Sequence, residues 1–189
     1  MKKLVGILVL GLFLITPSWA DDITDFQIEG MSVGDSLLDY VSKEEIKKNT
    51  HDWYDYIQEK KFLTVALEYK KSFKEYDIVD VIIKINDKSY VIYGLSGAFY
   101  LSNMDECLIK QKKVSSILSK VFSNAKKHGP YTSKHAADPS GKSKYIDITF
   151  KFKAGIATVT CYDFSDSLKE AKDFFSVSLR TDEFNKWLE

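Results

Sequence analysis

The chain has 189 residues, 44% hydrophobic and 14% aromatic, and its 27 basic side chains equal its 27 acidic ones. That composition excludes a disordered, collagen-like or many-span membrane protein and fits one compact domain. Zero formal charge argues against gripping a polyphosphate backbone, so nucleic acid is not an expected partner.

The first twenty residues have the pattern of an export leader. Lys2 and Lys3 precede an apolar run over residues 4–15, and Ser18 and Ala20 occupy the positions a signal peptidase reads. The run would make a helix of about 18 Å, short of the roughly 30 Å hydrocarbon core, so cleavage before Asp21 is expected rather than a retained anchor. No cysteine follows the run, which closes the lipoprotein route. Lysine supplies every basic residue except Arg180, a bias associated with A+T-rich bacterial genomes. The expected address is the periplasm, or secretion, with no integral membrane segment after cleavage.

Residues 35–41 predict a short helix, and Ser42 with Glu45 three positions on predicts the start of a second. Apolar alternation predicts strands over 62–70 and 78–85. An Asn86-Asp87 turn then leads into a strand over 89–95, setting Ile83 opposite Tyr90 and Val81 opposite Ile92. The longest helix is predicted over 103–128, opened by Asn103 and closed before Gly129-Pro130, with Cys107, Val114, Leu118, Val121 and Ala125 on its buried stripe. A polar connection over 129–144 follows. Strands over 145–153, 156–163 and 173–180 come next, the first two joined at Ala154-Gly155, and Thr181 caps a C-terminal helix that buries Phe184 and Leu188.

The sum is a single α+β domain over 21–189. It has an antiparallel sheet of about six strands in two hairpin-rich groups, packed against one long helix, with short N-terminal helices and a C-terminal helix. A duplicated α-β-β-β unit is another way to write the same order.

Two cysteines in an oxidising compartment predict one disulfide. With a tight Ala154-Gly155 turn, Phe152 faces Ala157, Phe150 faces Val159 and Ile148 faces Cys161. Cys161 then points inward, where Cys107 on the helix can meet it. Two separate buried thiols are the alternative, and neither cysteine has the neighbours of a redox centre.

The motifs that could carry chemistry are incomplete. Gly34-Asp35-Ser36-Leu37 spells the opening tetrapeptide of the GDSL esterases and lipases, but no Asp-x-x-His occurs and Lys84-Ile85-Asn86-Asp87 has lysine where that family's second block has glycine. Helix-start duty explains Asp35 and Ser36 better. Gly94-Leu95-Ser96-Gly97-Ala98 departs from a nucleophile elbow at Ala98. His128, His135 and Asp138 have no metal-ligand spacing and read as loop residues, so neither metal nor cofactor is expected. Trp53, Tyr54 and Tyr56, set among carboxylates, are candidate ligand contacts of the kind that face sugars or amphipathic peptides, against the plainer reading of packing. Charge is uneven: residues 21–59 carry 3 lysines and 11 acids, residues 60–153 carry 18 lysines and 9 acids. Lys110, Lys113, Lys120 and Lys127 are therefore candidates for an anionic partner, against internal charge balance.

Residues 30–40, Asp105-Glu106-Cys107 and residues 181–188 together resemble small exported proteins of low-G+C marine bacteria, a resemblance that implies export and no particular activity. Residues 28–32 also resemble the start of small lipoproteins of outer-membrane assembly and of β-lactamase-inhibitor-like folds. The expected function is that of an exported, non-enzymatic binding or envelope-interaction protein, its partner an unknown protein or envelope component. A small serine hydrolase using Ser36 or Ser96, or an inhibitor of an envelope enzyme, are the alternatives.

Overall fold

The computed structural model describes residues 22–68, 72–101, 103–122, 124–136, 138–166, 168 and 171–189. The leader over 1–20, and residues 69–70 of the first predicted strand, lie outside them.

A 3-10 turn (Ile23–Asp25), capped by Asp22, leads into a small hairpin of β1 (Gln27–Ile28) and β2 (Met31–Ser32). Its two turn residues, Glu29 and Gly30, have φ of 51° and 84°, the left-handed pair that a tight hairpin needs. From there the Glu29 carboxylate accepts the backbone N–H groups of Lys74, Glu75 and Tyr76, fixing the distant β4–β5 connection. Ser36 caps a second 3-10 turn (Leu37–Asp39) where residues 35–41 predicted a helix. Ser42 caps α1 (Lys43–Lys48) by accepting from the Glu45 N–H.

The remaining strands form one sheet: β3 (Thr50–His51), β4 (Phe62–Glu68), β5 (Ile78–Lys84), β6 (Ile92–Tyr100), β7 (Lys126–Lys134), β8 (Lys144–Lys151), β9 (Gly155–Asp163) and β10 (Phe174–Thr181). α2 (Met104–Val121) follows β6, and α3 (Asp182–Leu188) ends the described chain. The strand order is β3-β4-β5-β6-β10-β9-β8-β7 and every pairing is antiparallel. The α+β reading therefore holds, with eight strands in the sheet rather than about six. The two additions, β3 and β7, are its two edges.

α2 lies across β9 and β10 on one face, called inner here, and the core forms beneath it. Val65, Val79, Val81, Leu95, Val159, Val177 and Leu179 supply the sheet side, closed by Ile23, Ile28, Leu37 and Ile46 from the N-terminal segment. Asn103 caps α2 through the Glu106 N–H at 2.9 Å, as predicted.

The helix stops at Val121, seven residues before the expected end. Phe122 leaves helical geometry (φ −89°, ψ 56°) and inserts among Phe26, Phe150 and Phe152, with ring centroids 4.3, 5.2 and 4.9 Å away. Burying that ring is worth about 2–3 kcal/mol, more than two further turns of exposed lysines could supply. Residues 126–134 become edge strand β7 instead, exposed along most of its length, so no apolar alternation announced it. A register shift between His128 and Tyr131 and a cis Gly129-Pro130 bond interrupt the strand, devices that suit an edge.

The buried stripe of α2 also differs from expectation. Cys107, Gln111, Ser115 and Leu118 are buried, whereas Val114, Val121 and Ala125 are partly buried at its margin. Gln111 Nε2 donates to the carbonyls of Ile146 and Val159 at 2.6 and 2.8 Å, a polar pin between helix and sheet.

Both predicted hairpin registers shift. Ile83 pairs with Ile92 and Val81 with Leu95, because the connection runs on to Val91, held by Asp87, whose carboxylate accepts from the Ser89 and Val91 N–H groups. Phe150 pairs with Ala157, Ile148 with Val159 and Ile146 with Cys161, since the turn spans four residues with Phe152 N–H donating to Gly155 O. In this second hairpin the slip is of two residues, which preserves every residue's face, so Cys161 still points inward. The sulfurs of Cys107 and Cys161 are 2.00 Å apart, a disulfide joining α2 to β9.

Candidate functional site

Antiparallel pairing carries alternate residues across the sheet in rows, and the outer face, away from α2, differs sharply in composition from the core. One row reads Ala66, Asp80, Ser96, Ser178, Thr158, Thr149, and the next reads Ile78, Ala98, Ser176, Thr160, Asp147. Short hydroxyl side chains thus make the middle of the floor. Ser178 donates to Ser96 Oγ at 2.9 Å and Ser96 pairs with Ser176 Oγ at 2.8 Å, while Thr149 donates to Asp147 at 3.0 Å. Thr158, Thr160 and Ser176 are buried.

Aromatic walls stand at the two ends. Toward α3, Phe62 and Tyr54 make edge-on contacts with Phe184 and Trp187, centroids 5.2–5.7 Å apart, Phe184 stacks on Trp187 at 5.9 Å, and Trp187 Nε1 donates to the Glu59 carbonyl at 2.7 Å, tying the 52–60 loop to the helix. Glu183 fixes α3 further through Lys61 and Lys84, each at 2.9 Å. At the other end Tyr162 stacks on Phe174 at 4.3 Å beside Tyr145, Phe164 and His135.

Two ionisable groups on this floor each keep a buried atom with no hydrogen-bond partner among the described residues. Arg180, the chain's sole arginine, lies on β10 between Gly94 of β6 and Ile156 of β9, and its Nε is buried with no hydrogen-bond partner among the described residues. Its charge reaches the phenols of both walls: burial pushes Tyr54 up to about 12 and raises Tyr162, and in each case Arg180 opposes the rise. Asp80 Oδ1 is likewise buried and unpartnered among the described residues. Burial, then the nearby Glu68, pushes its carboxyl up to about 7. A buried polar atom left without a partner is costly, so both groups stand out as candidates for ligand contact.

The residues singled out by sequence scatter differently. Tyr54 joins the α3-side wall, in edge contact with Tyr56 at 6.3 Å, whereas Trp53 stacks on His51 at 5.5 Å; Trp53 and Tyr56 are 49% and 64% exposed. Neither of two shallow grooves, of about 300 and 480 Å³ beside α1, is lined by any of the three.

Lys110 lies 3.7 Å over the Phe99 ring, where burial lowers its pKa, and Lys127, on β7 rather than a helix end, donates to Ser119 and lies 5.6 Å from the Phe150 centroid. Lys113 and Lys120 face solvent from α2.

Ser36 donates to the Ser89 carbonyl at 2.7 Å and accepts from the Leu38 N–H, a capping geometry. Ser96 belongs to the hydroxyl floor. Gly97 beside it is required by packing, since a Cβ there would meet the Tyr76 ring at 2.7 Å.

Asp138 is buried and accepts from Ser143 N–H and Oγ–H and from Ser140 N–H, bonds that hold its carboxyl well below the usual range. His135 packs against aromatic rings. Among the described residues no group of three His, Cys, Asp or Glu is placed to hold a metal.

Sequence reasoning missed Arg180, Asp80 and the hydroxyl rows. Alternation marks only the inward apolar residues of each strand; the available signal for the rest was the lone arginine among 26 lysines. Among the described residues no helix is long and apolar enough to cross a membrane. Compared with protein-family models, curated proteins and solved structures, the chain has no significant match.

Proposed function

We propose that this is an exported, non-enzymatic binding protein of the bacterial cell envelope, and that the outer face of its sheet is the binding surface. The observation that carries the reading is that Arg180 and Asp80 each keep a buried polar atom without a partner among the described residues, on a hydroxyl-lined floor between two aromatic walls. Evolution toward stability alone removes such groups, whereas a ligand supplies the missing partners. The leader pattern and the Cys107–Cys161 bond support an oxidising, extracytoplasmic address.

The test is direct. The secreted or periplasmic fraction should contain a chain starting at Asp21. That chain, immobilised, should retain one class among purified envelope polysaccharide, peptidoglycan fragments and lipid vesicles, and lose it in Arg180→Gln. Retention of none, or retention indifferent to Arg180, contradicts the proposal.

The hydrolase reading is weaker, because Ser36 is engaged in capping and Ser96 in a serine cluster. A fluorophosphonate label lost in Ser36→Ala or Ser96→Ala would restore it. The inhibitor reading shares this surface and differs only in what the partner does afterwards.

A further inference from the structure

Resting on the reading of the outer face as a binding surface, we infer that its ligand is an acidic saccharide, with a ring carboxylate seated on the Arg180 guanidinium and ring hydroxyls on the serine and threonine floor.

The anion follows from charge accounting. Of the cations the outer face presents near the α3 wall, Lys84 is held by Glu183 at 2.9 Å, whereas Arg180 makes no ion pair among the described residues and keeps a buried, unpartnered Nε. A guanidinium offers a planar fork of donors that matches a carboxylate with two parallel bonds. The carboxylates on the same face do not fill that role: Asp147 accepts from Thr149, Glu183 is occupied by Lys61 and Lys84, and among the described residues no ion pair joins Arg180 to Asp80 or Glu68.

The saccharide follows from the floor. Ser96, Ser178 and Thr149, the partly exposed members of the floor, present short hydroxyls that both donate and accept, and so can exchange bonds with a polyhydroxylated ring in several orientations. Burial pushes the Asp80 carboxyl up to about 7, so below neutral pH it carries a proton and adds another two-way hydrogen-bonding group. Tyr54 and Trp187 on one side, and Tyr162 and Phe174 on the other, supply ring faces for the C–H surfaces of sugar units. An acyl chain would meet polar atoms across this floor. An extended peptide would prefer a sheet edge, and here β3 is two residues long and β7 is broken by Pro130 and a register shift.

Titration calorimetry on the chain from Asp21 tests this with a galacturonate trimer, the neutral galactose trimer, inorganic phosphate, a peptide with a free C-terminal carboxylate, and anionic vesicles. The expected result is that the galacturonate trimer binds at least tenfold tighter than the neutral trimer, phosphate and peptide. Arg180→Gln, and also Arg180→Lys, which keeps the charge but loses the fork, should reduce that preference at least fivefold, while Lys113→Gln leaves it unchanged. Unchanged thermal midpoints in the two variants exclude unfolding; if Arg180→Gln does not fold, Arg180→Lys alone decides. Equal binding of acidic and neutral trimers, or preference for peptide or vesicles lost in the same variants, overturns the saccharide-acid assignment but leaves the outer face as the binding surface. Binding of no probe at this face overturns both.

Discussion

Along β9, Ala157, Val159 and Cys161 point inward while Ile156, Thr158, Thr160 and Tyr162 point outward, so a single strand serves two surfaces of opposite character. The inner surface meets α2 and is completed within the chain: its side chains are apolar, its buried amide Gln111 finds two carbonyls, and a disulfide closes it. The middle of the outer surface is polar, with hydroxyls bonded mainly to one another and, among the described residues, no partner for the buried Arg180 Nε and Asp80 Oδ1. Period-two alternation lets both be written into the same residues. Removing groups should cost stability on the inner side, whereas on the outer side it should cost little or even be a gain.

The largest inner effect should come from the crosslink. Replacing both Cys107 and Cys161 by serine opens a loop of 54 residues and should lower unfolding free energy by about 4 kcal/mol in the chain-entropy account, read from denaturant midpoints. A loss below about 1 kcal/mol would mean that α2 is held mainly by packing.

Asp80→Asn should move stability the other way. The folded carboxyl titrates near 7 against roughly 4 when unfolded, so the native state binds the extra proton between those values. Stability contributed by the protonated form is therefore full below about pH 4 and declines as pH rises toward 7. The variant should gain on the order of 3 kcal/mol at pH 8 and almost nothing at pH 4; a loss at pH 8 would show that the ionised group has a favourable partner.

Gln111→Ala should cost about 2 kcal/mol by stranding the Ile146 and Val159 carbonyls, measured by chemical denaturation. Smallest of all, Ser96→Ala and Trp53→Ala should each stay within about 1 kcal/mol, the first because neighbouring hydroxyls can pair with each other and the second because the ring is half-exposed. A large loss at Ser96 would break the contrast between the faces.

What was legible in the sequence was the inner half of this design. Val65, Val79, Val81 and Val159 announced strands by alternation, and Asn103, Ser42 and Thr181 announced helix starts through the N–H groups they accept. The Cys107–Cys161 partnership survived a register error because a two-residue slip preserves the face. Both sheet edges escaped notice for one physical reason: β3 is too short to alternate, and β7 buries so little that Lys126, Lys127 and His128 looked like the end of a helix.

The candidate site was hardly legible at all. Its floor is assembled across β5, β6, β10, β9 and β8, so residues as distant as Asp80 and Thr158 become neighbours only through strand order. Tyr54 was singled out for its aromatic company, which is what places it in the wall beside Arg180. Arg180 itself gave no local pattern, because its meaning lies in the absence of a carboxylate that only the folded chain could have supplied.

Backbone amide NMR of the chain from Asp21 during titration with the galacturonate trimer tests most directly whether a ligand completes the outer face. Shifts should concentrate at Asp80, Ser96, Thr158, Ser178 and Arg180 while the α2 amides from Lys112 to Lys120 stay still. Shifts on the solvent side of α2 with a silent outer face, or no shifts at millimolar trimer, would contradict it.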